Sequence, residues 1–259
     1  MRIALGIEYD GTGFRGWQAQ PGSRTVQGVV EQAVSTVANH PVGVVCAGRT
    51  DSGVHAVGQV IHFDTHAERR PRSWALGCNV NLPRDVTVLW ARPVAEDFHA
   101  RFGAVRRSYR YAILNRMTRP AVLRDRVCWH HQPLDVAPMA LAGAHLEGEH
   151  DFSSFRALSC QARHPVRTIY SLSVKRAGDF VYIDVTANAF LHHMVRNIAG
   201  VLMAVGAGER PPRWTRQLLE ARDRTVGGVT APPGGLYLVS VTYPRSHDLP
   251  PGPALPTFS

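Results

Sequence analysis

The chain has 259 residues, of which 44% are hydrophobic and 19% are charged, and its formal net charge is +9 at pH 7. These values exclude a disordered chain and leave room for one large folded domain or two of ordinary size. No window approaches the roughly 18–20 uninterrupted apolar residues of a membrane span, and a glutamate appears too early for a signal peptide, so we expect a cytoplasmic protein.

The positive charge favours a polyanionic partner such as a nucleic acid. Nearly all of it comes from arginine, because Lys175 is the only lysine. Arginine suits bidentate contacts with phosphate and stacking on bases. A compositional preference across the whole proteome would produce the same count, so the charge favours a nucleic acid without requiring one.

Hydrophobic periodicity predicts two successive runs of strands and helices. In chain order, the first run has a strand over 2–9, a helix over 26–38, strands over 42–47 and 57–64, a helix over 72–80 opened by Pro71, and a strand over 85–92. The second has a strand over 104–114, a helix over 135–146, a hairpin of 166–175 with 180–187, helices over 189–206 and 213–222, and a strand over 236–243.

This order predicts an α+β protein of two ferredoxin-like, RRM-like units, each with an antiparallel sheet, lying side by side with the active-site cleft between them. We place an N-terminal domain at 1–100 and a C-terminal domain at 101–245. Residues 246–259 are rich in Pro and Gly and are predicted to form a loose tail.

The loop over 46–55 draws attention to Asp51, which Gly48 and Gly53 bracket between two predicted strands. Asp-Ser-Gly is also ordinary turn chemistry, and that interpretation stays open. A pepsin-like protease needs a second such carboxylate, and a subtilisin-like protease needs a later nucleophilic serine segment. The chain has neither, so both protease interpretations fail.

Arg196 lies off the apolar stripe of the predicted helix over 189–206, beside small residues that let another segment approach closely. The stripe consists of Leu191, Val195, Ile198, Leu202 and Val205. A solvated arginine is the alternative. If Arg196 is partly buried, it needs a carboxylate partner, and Asp51 is the candidate. Such a pair would keep the aspartate ionised, as a nucleophile requires.

Tyr109 shares one face of its predicted strand with Tyr111 and Ile113. A core tyrosine is the ordinary outcome, and a tyrosine that stacks on a base or exchanges a proton is the alternative. Arginines alternate with aromatic residues near Phe14, near Phe98 and near Tyr109, a pattern that suits RNA.

Metal and cofactor motifs are missing from the sequence. The four cysteines form no C-x-x-C pair, and the adjacent histidines at 130–131 and 192–193 project in different directions. There is no H-E-x-x-H motif and no phosphate-binding P-loop. We therefore expect neither a metal nor an organic cofactor.

Six segments together resemble the TruA family of tRNA pseudouridine synthases, in order along nearly the whole chain. They are Glu8–Gln18, Cys46–Ala56, Asp97–Phe102, Arg107–Tyr111, Asp151–Arg156 and Asn188–Asn197. The most specific is the loop Gly-Arg-Thr-Asp-x-Gly-Val-His.

The resemblance implies a role for each matching residue. Asp51 matches the catalytic nucleophile, Arg49 the arginine of base flipping, Tyr109 the tyrosine that stacks on the uracil, Arg196 the partner of the aspartate, and Leu236 an apolar wall of the pocket. The implied RNA-contacting residues are Phe98, His99, Ala100, Arg101, Phe102, Ser159, Cys160, Gln161, Ala162 and Arg163.

The implied activity is the isomerisation of uridine to pseudouridine at positions 38, 39 and 40, in the anticodon stem-loop of tRNA, by a homodimer that needs no cofactor. The alternative from another class is a tandem ferredoxin-like RNA-binding protein that performs no chemistry.

Overall fold

The computed structural model describes residues 1–254 and 256–258. Their internal contacts form two units. Unit 1 contains Met1–Arg107 together with the described part of Tyr237–Pro256, and unit 2 contains Ser108–Leu236 together with Thr257 and Phe258. Residues 101–107 and 237–245, which we place in the C-terminal domain, are thus grouped with unit 1, as is the described part of the predicted tail up to residue 256.

Ten strands and five α-helices occur in the described residues. In chain order they are β1 (Arg2–Tyr9), α1 (Val26–Ala38), β2 (Val45–Cys46), β3 (His55–Asp64), α2 (Pro71–Asn81), β4 (Val86–Val94), β5 (Arg106–Asn115), β6 (Cys128–His130), α3 (Val136–Ala144), β7 (Gly148–Asp151), β8 (Val166–Ala177), β9 (Phe180–Ala187), α4 (Met194–Gly206), α5 (Trp214–Ala221) and β10 (Leu236–Thr242). Every helix that the structure describes is too short or too polar to cross a lipid bilayer.

Unit 1 has the ferredoxin-like strand order that the sequence predicts. Strand β1 pairs antiparallel with both β3 and β4, and β2 pairs antiparallel with β3. The order β4-β1-β3-β2 with two crossing helices defines this topology. Strand β10 adds a short parallel pairing to β3, at His55 and Ala56. The α+β class with antiparallel pairing is therefore confirmed in this unit.

Local signals explain where the helices of unit 1 begin. The Thr25 hydroxyl accepts a hydrogen bond from the Gly28 amide and caps α1, and Asn39 ends that helix in the left-handed conformation. Pro71 occupies the first turn of α2, where its missing amide hydrogen costs nothing. Both helices therefore start where the sequence predicts.

Unit 2 has the strand order β5-β9-β8-β7, with β6 parallel to β5. Strands β8 and β9 form the predicted hairpin, with Gly178 at a φ of 55° in the turn. Four residues of the predicted apolar stripe are buried on α4, but Leu191 lies before that helix, which begins at Met194 and not at 189. His193 has a φ of 62°, a left-handed conformation that a continuous α-helix cannot contain.

Two described residues of the predicted loose tail contact the folded units. Leu249 packs against the apolar cluster around Phe98 in unit 1. In unit 2, the Tyr182 hydroxyl donates to the Phe258 carbonyl at 2.9 Å and accepts from the Phe258 amide at 2.8 Å. Positions 255 and 259 of the predicted tail lie outside the described residues.

One ion pair links β5 and β9 within unit 2. Arg110 donates to both carboxylate oxygens of Asp184, at 2.7 and 2.8 Å, and its guanidinium lies 4.6 Å from the centre of the Tyr182 ring. The Arg110 side chain is 8% exposed and that of Asp184 27%. Removal of one partner would leave the other charge poorly solvated, so this pair is important for stability.

We expect the Asp184→Asn substitution to lower the free energy of unfolding by about 2–3 kcal/mol, because it leaves Arg110 without its counter-charge. The matched control is Asp179→Asn, which removes an exposed carboxylate 3.9 Å from Arg116 and should change stability by less than about 0.5 kcal/mol. Urea denaturation of both variants measures the difference. Equal effects would show that the Arg110–Asp184 pair contributes no more than a surface contact.

Candidate active site

The Asp51 loop of unit 1 is fixed by its neighbours in the chain. The Trp17 amide donates to the Thr50 carbonyl at 2.9 Å, and the hydroxyls of Tyr9 and Thr50 are 2.8 Å apart. Ser52 donates its hydroxyl to the Phe14 carbonyl at 3.1 Å. The half-buried Asp51 thus stands between two anchored residues.

A tight turn directs the chain away after Asp51. The Val54 amide donates to the Asp51 carbonyl at 3.1 Å, and Gly53 has a φ of 76°. Positive φ at the third position of a turn favours glycine, as the sequence suggested. The turn interpretation and the catalytic interpretation of Asp-Ser-Gly are therefore compatible, since the turn holds the carboxylate at its first position.

Residues 10–17 form a second loop that packs against the Asp51 loop. Gly16, with a φ of 85°, approaches so closely that a Cβ there would lie 2.8 Å from the Thr50 carbonyl oxygen. Directly after it, the Trp17 amide makes the hydrogen bond to Thr50. A side chain at position 16 would force the two loops apart, so Gly16 is needed for the position of Asp51.

Arg49 is exposed, and Gly48, the residue before it, is held by hydrogen bonds to a core side chain. The side-chain amide of Gln59, which is 0% exposed, donates to the Gly48 carbonyl at 2.6 Å and accepts from the Gly48 amide at 3.2 Å. Gln59 belongs to none of the motifs in the sequence. Its only sequence signal is a polar residue within an apolar strand pattern.

Tyr109, on β5 of unit 2, is 8% exposed and meets the ring of Phe190 edge to face, with ring centres 5.0 Å apart. Tyr111, two residues further, is fully buried, and its hydroxyl donates to the Pro232 carbonyl at 2.8 Å. Burial raises the pKa of Tyr111 well above its usual value. Tyr111 is thus a core residue with a satisfied hydroxyl.

Arg196 lies in the first turn of α4 and is half-buried. Its Nε donates to the Ala231 carbonyl at 2.8 Å, and the Ala231 amide donates to the Arg196 carbonyl at 3.1 Å. A Cβ at Gly200 would lie 1.9 Å from the Val229 carbonyl oxygen. The predicted close approach of another segment beside small residues is therefore confirmed, and residues 229–231 are that segment.

Leu236 is the first residue of β10 and is 5% exposed. Its role as an apolar wall of the pocket remains a prediction. Asp51 and Arg49 belong to unit 1, whereas Tyr109, Arg196 and Leu236 belong to unit 2. The ion pair between Asp51 and Arg196 remains a prediction.

The first predicted RNA-contacting segment divides into buried and accessible residues. Phe98 and Ala100 are 0% exposed and pack in an apolar cluster of unit 1. Neither side chain offers a surface here, so we assign both to packing, and RNA contact at these two positions remains a prediction. Arg101 is exposed and Phe102 is 78% exposed.

The loop that carries these residues is held by hydrogen bonds. The half-buried His99 accepts at Nδ1 from the amides of Arg101 and Phe102, at 3.2 and 3.1 Å. Arg107 donates to the Arg101 carbonyl at 2.6 Å and to the Ala47 carbonyl at 3.1 Å. The exposed side chains therefore project from an ordered main chain.

The second predicted segment, residues 159–163, begins in a turn and leads towards β8. The Cys160 amide donates to the Ala157 carbonyl at 3.0 Å, and the Ala157 amide donates to the His192 carbonyl at 2.8 Å. Ser159, Gln161 and Arg163 are exposed, and Cys160 and Ala162 are half-buried. Contact between this segment and RNA remains a prediction.

A statistical model of the family described as tRNA pseudouridine synthase matches residues 6–103 and 142–244. The chain belongs to this family. The match includes the Asp51 loop, the segment around Phe98 and the whole of α4, and it omits residues 104–141, where Tyr109 lies.

Curated relatives agree with the family match. The chain is 63% identical to tRNA pseudouridine synthase A of Nitrosococcus oceani, over 96% of both chains. It is 58% identical to the same enzyme of Alcanivorax borkumensis, over 99% of this chain and 97% of the relative. A solved H/ACA RNP bound to a substrate RNA containing 2'-deoxyuridine is similar at 13% identity and a TM-score of 0.37, over 78% of this chain and 44% of that one.

His62 on β3 supports the loop that carries Arg101. It is 4% exposed, and its Nδ1 accepts from the Ala100 amide at 3.1 Å. Burial, followed by the electrostatic effects of Arg2 and His99, lowers the pKa of His62 from 6.5 to about 4, against an opposing effect of Asp64. The neutral ring is therefore the form that fits the folded protein.

We expect His62 to make the protein less stable in acid. The unfolded chain takes up a proton at His62 near pH 6.5 and the folded chain only near pH 4, so His62 costs about 3 kcal/mol of stability as the pH falls through this window. The His62→Asn variant keeps an acceptor for Ala100 and cannot titrate there. Urea denaturation between pH 7 and pH 4 should show a shallower loss for the variant. Parallel curves would contradict the assignment.

Proposed function

We propose that the protein isomerises uridine to pseudouridine in tRNA, at positions 38, 39 and 40 of the anticodon stem-loop, with Asp51 as the nucleophile. The observation that carries the proposal is the Asp51 loop of a chain that belongs to the tRNA pseudouridine synthase family. That loop holds a half-buried carboxylate between the anchored Thr50 and Ser52.

The reaction explains why a carboxylate is suitable. The bond from C1′ of the ribose to N1 of uracil breaks, the uracil rotates, and C5 bonds to C1′. C5 loses its proton and N1 gains one, so the reaction needs no oxidant or reductant. A carboxylate can attack C1′ covalently, or stabilise its developing positive charge and accept a proton in an elimination route. Each route requires the aspartate to be ionised and well placed.

The remaining assignments give each residue one role. Arg49 is exposed beside the anchored Gly48 and assists flipping of the target uridine. Tyr109 stacks on the uracil or exchanges a proton with it, and Phe190 holds its ring. Arg196 pairs with Asp51, and Leu236 forms an apolar wall. No metal or organic cofactor enters the proposed reaction.

RNA contact is assigned to the accessible residues of the two segments. In the first these are His99, Arg101 and Phe102, and in the second the whole of 159–163. The net charge of +9 supports binding of a polyanion. Opening a stacked stem costs a few kcal/mol, which these contacts offset. We also propose that the enzyme works in the cytoplasm as a homodimer, as the family resemblance implies.

We expect Asp51→Asn to abolish pseudouridine formation while the Kd for tRNA changes less than about threefold, because asparagine keeps the shape but loses the charge and nucleophilicity. The measurement is mass spectrometry of treated tRNA after chemical labelling of pseudouridine, together with filter binding. The Asp179→Asn variant, which removes an exposed carboxylate elsewhere, should keep full activity.

The same experiment separates the enzyme from the alternative of a non-catalytic RNA-binding protein. If the parent protein binds tRNA and forms no pseudouridine, the alternative is correct. Activity of Asp51→Asn within tenfold of the parent would show that Asp51 is not the nucleophile.

The accessible arginine of the first segment provides a second test. We expect Arg101→Gln to weaken tRNA binding and to reduce the log–log salt slope by about 0.7–0.9, the value for one lost phosphate contact. Arg216→Gln on α5 removes the same charge from an exposed helix and should leave the slope unchanged. Equal slopes for both variants would remove Arg101 from the RNA interface.

A further inference from the structure

Residues 223–231, which we name the 223–231 segment, lie between α5 and the residues that lead into β10. Its larger apolar side chains face solvent, since Val226 is 50% exposed and Val229 is 85% exposed. The Val229 carbonyl nevertheless packs against Gly200 of α4. Burial of these side chains therefore does not explain why the segment lies so close to α4.

Three polar side chains hold the segment in place. Asn197 of α4 is 2% exposed, and its Oδ1 accepts from the Thr230 hydroxyl at 2.6 Å and from Nη2 of Arg224 at 3.2 Å. Arg224 Nη2 also donates to the Thr230 hydroxyl at 3.1 Å. Asn197 Nδ2 donates to the Phe155 carbonyl at 2.7 Å, so the amide cannot turn without loss of a buried hydrogen bond.

The network includes the residues that are next in sequence to Arg196 and to Ala231. Asn197 follows Arg196 on α4, and Thr230 precedes Ala231, whose carbonyl accepts from Arg196 Nε at 2.8 Å. Because the guanidinium is planar, the position of that carbonyl restricts the orientation of the group. A shift of the segment therefore rotates or releases the Arg196 guanidinium.

We propose that Asn197, Thr230 and Arg224 are positioning residues for the isomerisation, and that they act by holding the Ala231 carbonyl where it orients Arg196. This inference rests on the proposed function of Arg196. None of the three residues belongs to the predicted RNA-contacting segments. Their loss should therefore reduce the rate of the chemical step and leave tRNA affinity unchanged.

The decisive comparison is Thr230→Val with Thr230→Ser. Valine has nearly the shape of threonine but cannot donate to Asn197 or accept from Arg224, whereas serine keeps the hydroxyl. We expect the single-turnover rate at saturating protein to fall about 10–100-fold for valine, the scale for a misplaced catalytic group. Serine should recover the rate to within about threefold of the parent, and both variants should keep the parent's Kd for tRNA.

Thr225→Val is the matched control, because it makes the same chemical change at an exposed position of the same segment, where the hydroxyl bonds Asp223 and not the network. It should behave as the parent does. A parent-like rate for Thr230→Val overturns the proposal, and so does a loss that appears only in the Kd for tRNA.

A double-mutant cycle with Arg196→Lys separates positioning from general stability. Lysine has no Nε for the Ala231 carbonyl, so Thr230→Val should reduce the rate of the lysine variant by less than twofold. An undiminished effect overturns the proposal, because the threonine would then act elsewhere. If Thr230→Val fails to fold, Arg224→Gln in the same cycle decides the question.

A parent protein that forms no pseudouridine overturns the proposed function and this inference together, whereas an active parent with parent-like variants overturns this inference alone.

Discussion

The close approach of one backbone segment to another is the constraint on which both parts of the proposed site depend. In unit 1, the loop over 10–17 reaches the Thr50 peptide because Gly16 has no side chain. In unit 2, the 223–231 segment reaches α4 because Gly200 has none. Hydrogen bonds between backbone groups then fix the neighbours of Asp51 and Arg196. A methyl group at Gly16 would displace the Asp51 loop. A methyl group at Gly200 would displace the segment that binds Arg196.

Regular elements could be predicted well where a periodic pattern and a local end signal agree. Helix α1 begins and ends as predicted because Thr25 caps one end and Asn39 the other. The start of α4 was predicted five residues too early because the apolar stripe continues through Leu191, although the backbone is not helical there. The left-handed conformation of His193 has no local sequence signal, because glycine is the residue that usually adopts a positive φ.

Short elements and tail contacts could not be predicted for a related reason. Strands β6 and β7 have three and four residues, too few for an alternating pattern to emerge. The contact between Phe258 and Tyr182 joins residues 76 positions apart. Proline-rich composition describes the preferences of the local chain and carries no information about such a distant partner.

The candidate site shows the same division between local and tertiary information. The motif around Asp51 identified a carboxylate in a turn, and the turn is present. The motif around Phe98 mixes residues that pack with residues that face solvent, so a resemblance in sequence assigned RNA contact to both kinds. Asn197 and Thr230 are 33 positions apart, and only the fold shows that they share a hydrogen bond.

The choice of a backbone carbonyl as the partner of Arg196 Nε has an electrostatic consequence. A carboxylate in the place of the Ala231 carbonyl would orient the guanidinium equally well, but it would also offset its positive charge. The neutral carbonyl provides direction without that loss. The charge–charge attraction is then kept for the proposed pair with Asp51, which must stay ionised to act on C1′. Asn197 and Thr230 are neutral as well, so their hydrogen bonds add order to the 223–231 segment without a negative charge of their own.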